Sequence, residues 1–263
     1  MNDHPVLLYV VFAVLAALAA VRRLGYVPAL GTGSWRRVAA ALGLEASRNS
    51  SGPMVSGNLR GAFVIARVIE VTVGRREHRH VRRFTRVSAM PQGKVHPALR
   101  TPHELFATER TSPHEKPRMA ELVEARLRGG ASSSTEAVLA LLNDEAKQAI
   151  GGIGGEWRIS EDGLEVEWPV LLSGSRLEQA LAAAATIAEQ LTPDEEDLVQ
   201  RLAESAEAEP NLVLKRELAE ALLDSFPKHE RTRRVAQALA SSPDEALRLR
   251  AAAVLRGEGW QAS

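Results

Sequence analysis

The chain contains no cysteine among its 263 residues. It therefore has no disulfide, no thiolate metal ligand and no cysteine nucleophile, although a cysteine-free chain can occupy an oxidising compartment as well as a reducing one. Aromatic residues are also scarce, at 4%, so the bases of a single-stranded nucleic acid would find few stacking partners. The apolar content of 45% nevertheless favours a packed core over disorder.

The common catalytic motifs are missing as well. Neither the G-x-S-x-G elbow of serine hydrolases nor the H-E-x-x-H pair of zinc proteases occurs. The glycine run of residues 151–155 follows a predicted helix and lacks a Gly-Lys-Ser/Thr end, so it predicts a helix stop and joint instead of a phosphate loop. His78 and His80 would share one strand face, but the surrounding arginines would repel a dication. The sequence therefore predicts no catalytic residue, no metal site and no cofactor.

One long apolar run stands near the N-terminus. Pro5–Val21 carries no charge over 17 positions, which is close to the lower limit for a membrane-spanning helix. Arg22 and Arg23 follow at once, whereas no lysine or arginine precedes the run. We therefore expect residues 1–24 to form a single transmembrane anchor that contacts the membrane through residues 5–21. The positive-inside rule then places the N-terminus outside and the body in the cytoplasm.

Two other interpretations of this run stay open. Ala17-Leu18-Ala19 fits a cleavage site and would predict export after signal cleavage, but the basic region that precedes a signal peptide's apolar segment is missing. The run could also be a buried core helix. Residues 25–34 are rich in turn formers and are predicted to link the run to the body.

The net charge is zero, but it is unevenly distributed. Residues 1–100 contain 15 basic and four acidic side chains, whereas residues 156–225 contain 17 acidic and five basic ones. This asymmetry suggests that the N-terminal part faces anionic material. The densest basic segment lies within residues 75–86, and its candidate anion-binding residues are Arg75, Arg76, Arg79, Arg82, Arg83 and Arg86.

Three interpretations of this arginine run are open. The run could be the solvated tip of a hairpin, as most charge runs are. It could contact acidic lipid headgroups, where each basic residue near the surface contributes about 1 kcal/mol. It could also bind nucleic acid or another acidic partner, although only Phe84 could stack on a base.

Residues 35–191 are predicted to form an α+β domain with antiparallel hairpins. Ala62–Val73 is rich in β-branched residues and has the length of a strand. We expect Val81–Met90 to return beside it as an edge strand, because charged side chains protect sheet edges. Helical spacing of apolar residues predicts helices at Trp35–Leu42, Pro117–Arg128, Glu136–Ile150 and Ser175–Leu191.

A second hairpin is predicted at Glu156–Pro169. Asp162-Gly163 is typical of a type I′ turn between two alternating strands. The register that follows makes one face apolar and the other charged. It pairs Trp157 with Trp168, Arg158 with Glu167 and Ile159 with Val166.

Residues 192–263 are predicted to be entirely helical. Turns that begin or break helices occur at Thr192–Glu195, Pro210-Asn211 and Ser242–Glu245. The last segment, Ser242–Gly259, resembles the second helix of a HEAT-type repeat, and the resemblance rests on Asp244, Leu247-Arg248, Ala251-Ala252, Leu255 and Gly259. It implies a short helical repeat with a protein-binding surface and no chemistry.

The expected fold class is α+β, with an N-terminal single transmembrane helix and C-terminal all-α HEAT-like helices. The expected function is that of a membrane-anchored scaffold or protein-interaction protein, which presents its body and tail to the cytoplasm and binds an unidentified protein through residues 193–263. One alternative is an anion-binding regulatory module for acidic lipid or, less favoured, nucleic acid. The other is a ligand-binding or enzymatic α+β domain.

Overall fold

The computed structural model describes residues 29–73, 80–102, 105–111 and 133–257. These ranges form an α+β body followed by helices. A 3₁₀ turn occupies Pro97–Leu99. In chain order the elements are α1 (Ala29–Leu42), β1 (Glu45–Asn49), β2 (Gly52–Leu59), β3 (Ala62–Val73), β4 (His80–Met90), α2 (Ala107–Thr111), α3 (Thr135–Leu141), α4 (Asp144–Ile153), β5 (Glu156–Ser160), β6 (Gly163–Trp168), α5 (Ser175–Glu189), α6 (Glu195–Ala208), α7 (Leu212–Ser225), α8 (Glu230–Leu239) and α9 (Glu245–Arg256).

The described strands form one antiparallel sheet in the order β1-β2-β3-β4-β6-β5. Helices α1 and α5 pack on one side of it, which we call the covered face. Alternate side chains of β3 are buried there, because successive strand residues point to opposite faces. The opposite side, which we call the open face, carries polar and charged residues of β4, β5 and β6.

The predicted strand Ala62–Val73 and its antiparallel partner are confirmed as β3 and β4, which pair from Phe63 opposite Met90 to Val73 opposite His80. The prediction that the partner is an edge strand is wrong, because β4 lies between β3 and β6. Two of its three arginines are tolerated there because acidic residues on the neighbouring strands pair with them, and the third, Arg82, is exposed. Arg83 pairs with Glu70 of β3, and Arg86 pairs with Glu167 of β6.

The second hairpin exists as β5 and β6, but its register is two residues away from the predicted one. Ile159 lies opposite Leu164, and Arg158 lies opposite Glu165. The faces are still as predicted, because a shift of two residues preserves the side on which each residue lies. The cause is Gly163: its φ is +136°, and a Cβ there would collide with the carbonyl oxygen of Ala89 in β4. The glycine is needed for this close approach, so the turn falls at Glu161 and Asp162.

Two other parts of the body depart from prediction. Helix α1 begins at Ala29, so it includes most of the predicted linker 25–34, and β1 and β2 were not foreseen as strands. The predicted helix Glu136–Ile150 is broken into α3 and α4, because Asn143 caps the second helix by accepting a hydrogen bond from the backbone N–H of Ala146 at 2.8 Å. The predicted helix Pro117–Arg128 lies outside the described residues.

The tail, predicted to be helical over residues 192–263, is helical in its described part and consists of two stacked helix pairs. Helices α6 and α7 form the first pair, and α8 and α9 form the second. Across the stack, α6 contacts α8 and α7 contacts α9. Asp194 and Asp244 cap α6 and α9 at the predicted turns. The glycine that ends α9 is Gly257, with φ +78°, and not the expected Gly259, which lies outside the described residues.

One hydrophobic core joins the predicted α+β and helical segments. Its buried residues run from Trp35 in α1 through the covered face of the sheet to Leu247 in α9. A small second cluster lies between the last three helices and includes Leu223, Ala236 and Val254. The tail is therefore packed against the body on one side and built outward from it on the other.

The expected fold class and localisation need one correction. No helix in the described part of the chain has both the length and the apolarity needed to cross a bilayer. This finding overturns the single transmembrane helix of the predicted fold class and the single-pass membrane localisation that depended on it. The segment that carried the prediction, residues 5–21, lies outside the described residues.

Candidate functional site

Three of the six candidate anion-binding arginines, Arg82, Arg83 and Arg86, fall within the described residues. Arg75, Arg76 and Arg79 lie outside the described residues. Arg82 is exposed on β4, and the side chain of Arg83 donates to Glu70 Oε1 at 2.7 Å. Arg86 is buried on the open face. The described members therefore comprise one exposed cation, one paired cation and one cation that solvent barely reaches.

Arg86 belongs to a buried hydrogen-bonded network with Glu167 and Thr108. Its Nη2 donates to Glu167 Oε2 at 2.8 Å and to Thr108 Oγ1 at 2.7 Å, and its Nε donates to the same Glu167 oxygen at 3.2 Å. The backbone N–H of Thr108 donates to Glu167 Oε1 at 3.1 Å. The side chain of Glu167 is only 1% exposed. Removing one partner of such a pair would leave an uncompensated buried charge.

A second ion-pair group extends this network along the open face. Arg158 of β5 donates to Glu109 Oε2 at 2.9 Å and to Glu165 Oε2 at 2.6 Å. Burial raises the pKa of the Glu109 carboxyl, but hydrogen bonds and charge from Arg158 outweigh it and lower the pKa overall. Burial likewise opposes charge on Arg158, and its two carboxylate partners raise its pKa nonetheless. Both groups therefore stay ionised, which is unsuited to proton transfer near neutral pH.

Phe106 connects the two groups. Its ring centroid lies 4.9 Å from the guanidinium carbon of Arg86 and 4.3 Å from that of Arg158. Cations at these distances are attracted to an aromatic face. Phe106, Thr108 and Glu109 all lie within residues 105–111, so the contacts hold this segment on the open face. We call the five residues Arg86, Phe106, Thr108, Arg158 and Glu167, together with Glu109 and Glu165, the open-face clamp.

Most of the clamp does not follow from the sequence pattern. That pattern predicts Arg86 on an anion-binding surface and Arg158 opposite Glu167, whereas Glu167 pairs with Arg86 in the structure. Phe106, Thr108 and Glu109 stood in a stretch without periodicity. The available indication was that Glu165 and Glu167 alternate with buried residues in β6, since acidic residues on a covered strand require cationic partners.

The outer helix pair, α8 and α9, forms a different kind of surface. Residues 226–257 contain seven basic and three acidic side chains, whereas residues 192–225 contain three basic and ten acidic ones. Leu249 of α9 is 55% exposed and Leu255 is 39% exposed. At helical spacing these leucines lie on one side of α9 together with Ala252. We call this side of α9, with Leu249, Ala252 and Leu255, the outer stripe.

Ion pairs fix the outer helix pair on the inner one. Arg250 of α9 lies 3.7 Å from Glu220 and also pairs with Asp224, both on α7. Arg216 of α7 lies 3.3 Å from the capping carboxylate of Asp244. In the other layer, His229 at the start of α8 lies 2.8 Å from Glu196 of α6. The outer stripe is therefore presented on helices whose position is defined by both charge and packing.

Metal ligation has no support in the described residues, where no cluster of three or more histidine or acidic side chains could hold an ion. The metal interpretation rested on His78 and His80, of which His78 lies outside the described residues and His80 is exposed at the start of β4. Comparison of the chain with protein-family models, curated proteins and solved structures found no match. The HEAT-type assignment therefore has no family match behind it, and the structure supports the coarser statement that the tail is helical and compatible with a repeat.

Proposed function

We propose that this protein is a protein-interaction module and that its outer helix pair binds an acidic protein surface. The observation that carries the proposal is the outer stripe, where exposed leucines lie on a helix pair with an excess of positive charge. Apolar anchors surrounded by charge are typical of specific protein interfaces. Complementary charge would steer the partner and select its sign.

Helix stacking supports this proposal. Repeat-like helix pairs contact only their neighbours. Among the described residues, the outer pair contacts the inner pair on one side, while Leu249 and Leu255 stay exposed. Here the inner pair lies between the body and the outer pair. The hydrophobic cluster under the outer pair is small. A partner that packs on α9 would extend the stack and bury Leu249 and Leu255.

The experiment is site-specific photo-crosslinking of the full chain in the cells that produce it. Benzoylphenylalanine replaces Leu249, and the adducts are identified by mass. We expect a discrete adduct with a protein whose contact surface is acidic. The same probe at Glu204, an exposed position on the acidic helix α6, serves as the control. Identical adducts at both positions, or none at Leu249, would overturn the proposal.

A pair of charge variants tests the chemistry of the partner. Leu249→Lys and Leu249→Glu both remove the exposed apolar group, and each adds charge of one sign. Since Leu249 is exposed within a helix, neither should change the free energy of unfolding by more than about 0.5 kcal/mol. Binding to the captured protein should fall further with Leu249→Glu than with Leu249→Lys. The reverse order would show that the partner is not acidic.

A further inference from the structure

A second candidate site, separate from the outer stripe, lies on the body between α4, α5 and the end of β6. It is a cavity of about 690 Å³, which is within the range of small-molecule sites. It is half open to solvent, and most of its lining residues are apolar or glycine. The three long polar side chains that line it, Gln148, Arg176 and Gln179, are exposed. The apolar residues that form its walls include Ile153, Trp168, Pro169, Leu172, Ala180 and Ala183.

Hydrogen bonds from distant residues hold these walls in place. The indole N–H of Trp168 donates to the carbonyl oxygen of Ile153 at 2.9 Å, which ties β6 to the end of α4. The indole N–H of Trp35 donates to the carbonyl oxygen of Leu172, also at 2.9 Å. Thr85 of β4 accepts from the backbone N–H of Leu172 and donates to the carbonyl oxygen of Val170, both at 2.9 Å. The cavity is therefore preformed, and a ligand would not need to order its walls.

The glycine run 151–155 lies beside the cavity, and two of its residues have different effects there. Gly152 lies inside α4 and lines the cavity, and a Cβ built on it meets no atom within 4 Å. Packing therefore does not require glycine at this position. A glycine in a helix is also unfavourable compared with alanine. Its effect is to leave the space free that a side chain would fill. Gly154, by contrast, has φ +64° and ends the helix.

The polar groups at the cavity define the class of ligand. Arg176 is the only charged side chain that lines it, and within the described residues it makes no hydrogen bond or ion pair. Gln148 and Gln179 add side-chain amides. A single cation beside apolar walls suits a molecule with one negative group and an apolar body. A cationic or multiply charged ligand would leave charge without a partner.

We propose that this cavity binds a small organic anion with one carboxylate or sulfonate group and an apolar aromatic or aliphatic body. Arg176 pairs with the anionic group, and the amides of Gln148 and Gln179 orient it. The body of the ligand lies on Trp168 and Leu172, beside Gly152. This site is separate from the outer stripe, so it does not depend on the proposed protein interaction.

The test uses the full chain and 1-anilinonaphthalene-8-sulfonate, a fluorescent probe with one sulfonate and an apolar body. We expect saturable binding with one probe per chain, and displacement by decanoate at a concentration at least tenfold below that needed for decanol. Arg176→Gln should weaken probe binding about tenfold, the loss expected for one charge-assisted hydrogen bond. Equal displacement by decanoate and decanol, or an unchanged affinity in Arg176→Gln, would overturn the assignment.

A matched pair of glycine variants locates the binding. Gly152→Leu places a side chain in the cavity. Gly151→Leu adds the same side chain one residue earlier, at a position that does not line the cavity. A Cβ at Gly151 also meets no atom within 4 Å. The melting temperature of both variants should equal or exceed that of the parent protein, since leucine is a better helix former than glycine. Gly152→Leu should abolish saturable binding, and Gly151→Leu should leave it within twofold. Equal binding by the two variants would place the probe elsewhere and reject the site.

Discussion

The imidazole of His96 stacks on the ring of Phe226, with the ring centroids 5.4 Å apart and the planes inclined by 20°. His96 precedes the 3₁₀ turn after β4, and Phe226 is the residue that ends α7. The contact therefore joins the sheet to the inner helix pair of the tail. The Nδ1 atom of His96 also accepts a hydrogen bond from the backbone N–H of Ala98 at 3.2 Å.

This contact predicts that acid weakens the packing between sheet and tail. Burial lowers the pKa of His96, and the positive charge of Arg100 lowers it further. The unfolded chain, in which a histidine has a pKa of about 6.5, therefore binds a proton more readily than the folded chain. Neutral His96 therefore contributes its full share to the free energy of unfolding above about pH 6.5. This contribution is lost as the pH falls from 6.5 towards the lower pKa of His96 in the folded state.

The measurement is urea unfolding at pH 7.5 and pH 5.0, with the pKa of His96 read from its imidazole resonances. His96→Asn can still accept the hydrogen bond from Ala98 but cannot titrate in this range. We expect the free energy of unfolding to fall more between the two pH values in the parent protein than in His96→Asn. Equal falls in the two proteins would contradict the prediction.

The open-face clamp predicts a strong asymmetry between single and double substitutions. Arg86→Met leaves Glu167 buried without a cation, and we expect the free energy of unfolding to fall by about 3–5 kcal/mol. Glu167→Leu leaves Arg86 with the more distant Glu109, whose Oε1 lies 3.6 Å from its Nη2, and should therefore have a smaller cost. Because an apolar pair of similar volume needs no partner, the double variant should be more stable than either single variant. Additive losses in a double-mutant cycle would show that Arg86 and Glu167 do not act as a pair.

Elements that depend on residues close together in the sequence could be predicted, whereas those that depend on distant pairs such as Arg86 and Glu167 could not. The starts of α6 and α9 were predictable because a cap depends on a backbone donor within three residues, although the capping box at Thr192–Glu195 would make Thr192 the cap and the structure uses Asp194. The β3 strand was predictable from its run of β-branched residues. The central position of β4 was not, because the charge of Arg86 is compensated by Glu167, which is 81 residues away.

The two candidate functional surfaces differ in the same way, since one depends on local sequence and the other on contacts between distant segments. The helical character of the tail and the leucines of α9 follow from local periodicity. The cavity does not, since it is assembled from α4, β6 and α5, and its walls are held by Trp35 and Thr85 from elsewhere in the chain. The sequence pattern of the glycine run 151–155 predicts only a helix stop and joint. What lies beside a glycine depends on packing between segments that are distant in sequence.

Phe106 predicts how residues 105–111 are attached to the sheet. Phe106→Leu retains most of the buried apolar surface but loses both cation–π contacts, so the free energy of unfolding should fall by roughly 1–3 kcal/mol from two such contacts and the changed shape. Hydrogen exchange of the Thr108 amide, which donates to Glu167, should accelerate. The matched control is Phe63→Leu, since Phe63 is an exposed phenylalanine on the same face. Equal effects of the two substitutions on Thr108 exchange would argue against the cation–π contacts.

Gly163 and Gly151 predict opposite effects of the same substitution. Gly163→Ala introduces a Cβ against the carbonyl oxygen of Ala89 at a φ of +136°, and it should lower the free energy of unfolding by roughly 1–3 kcal/mol or more. Gly151→Ala adds a Cβ in open space within α4 and should raise that free energy by up to about 1 kcal/mol. Thermal and urea unfolding of both variants measure the difference. A neutral Gly163→Ala would mean that β6 does not need the close approach to β4, and the turn at Glu161 and Asp162 would then lack its physical cause.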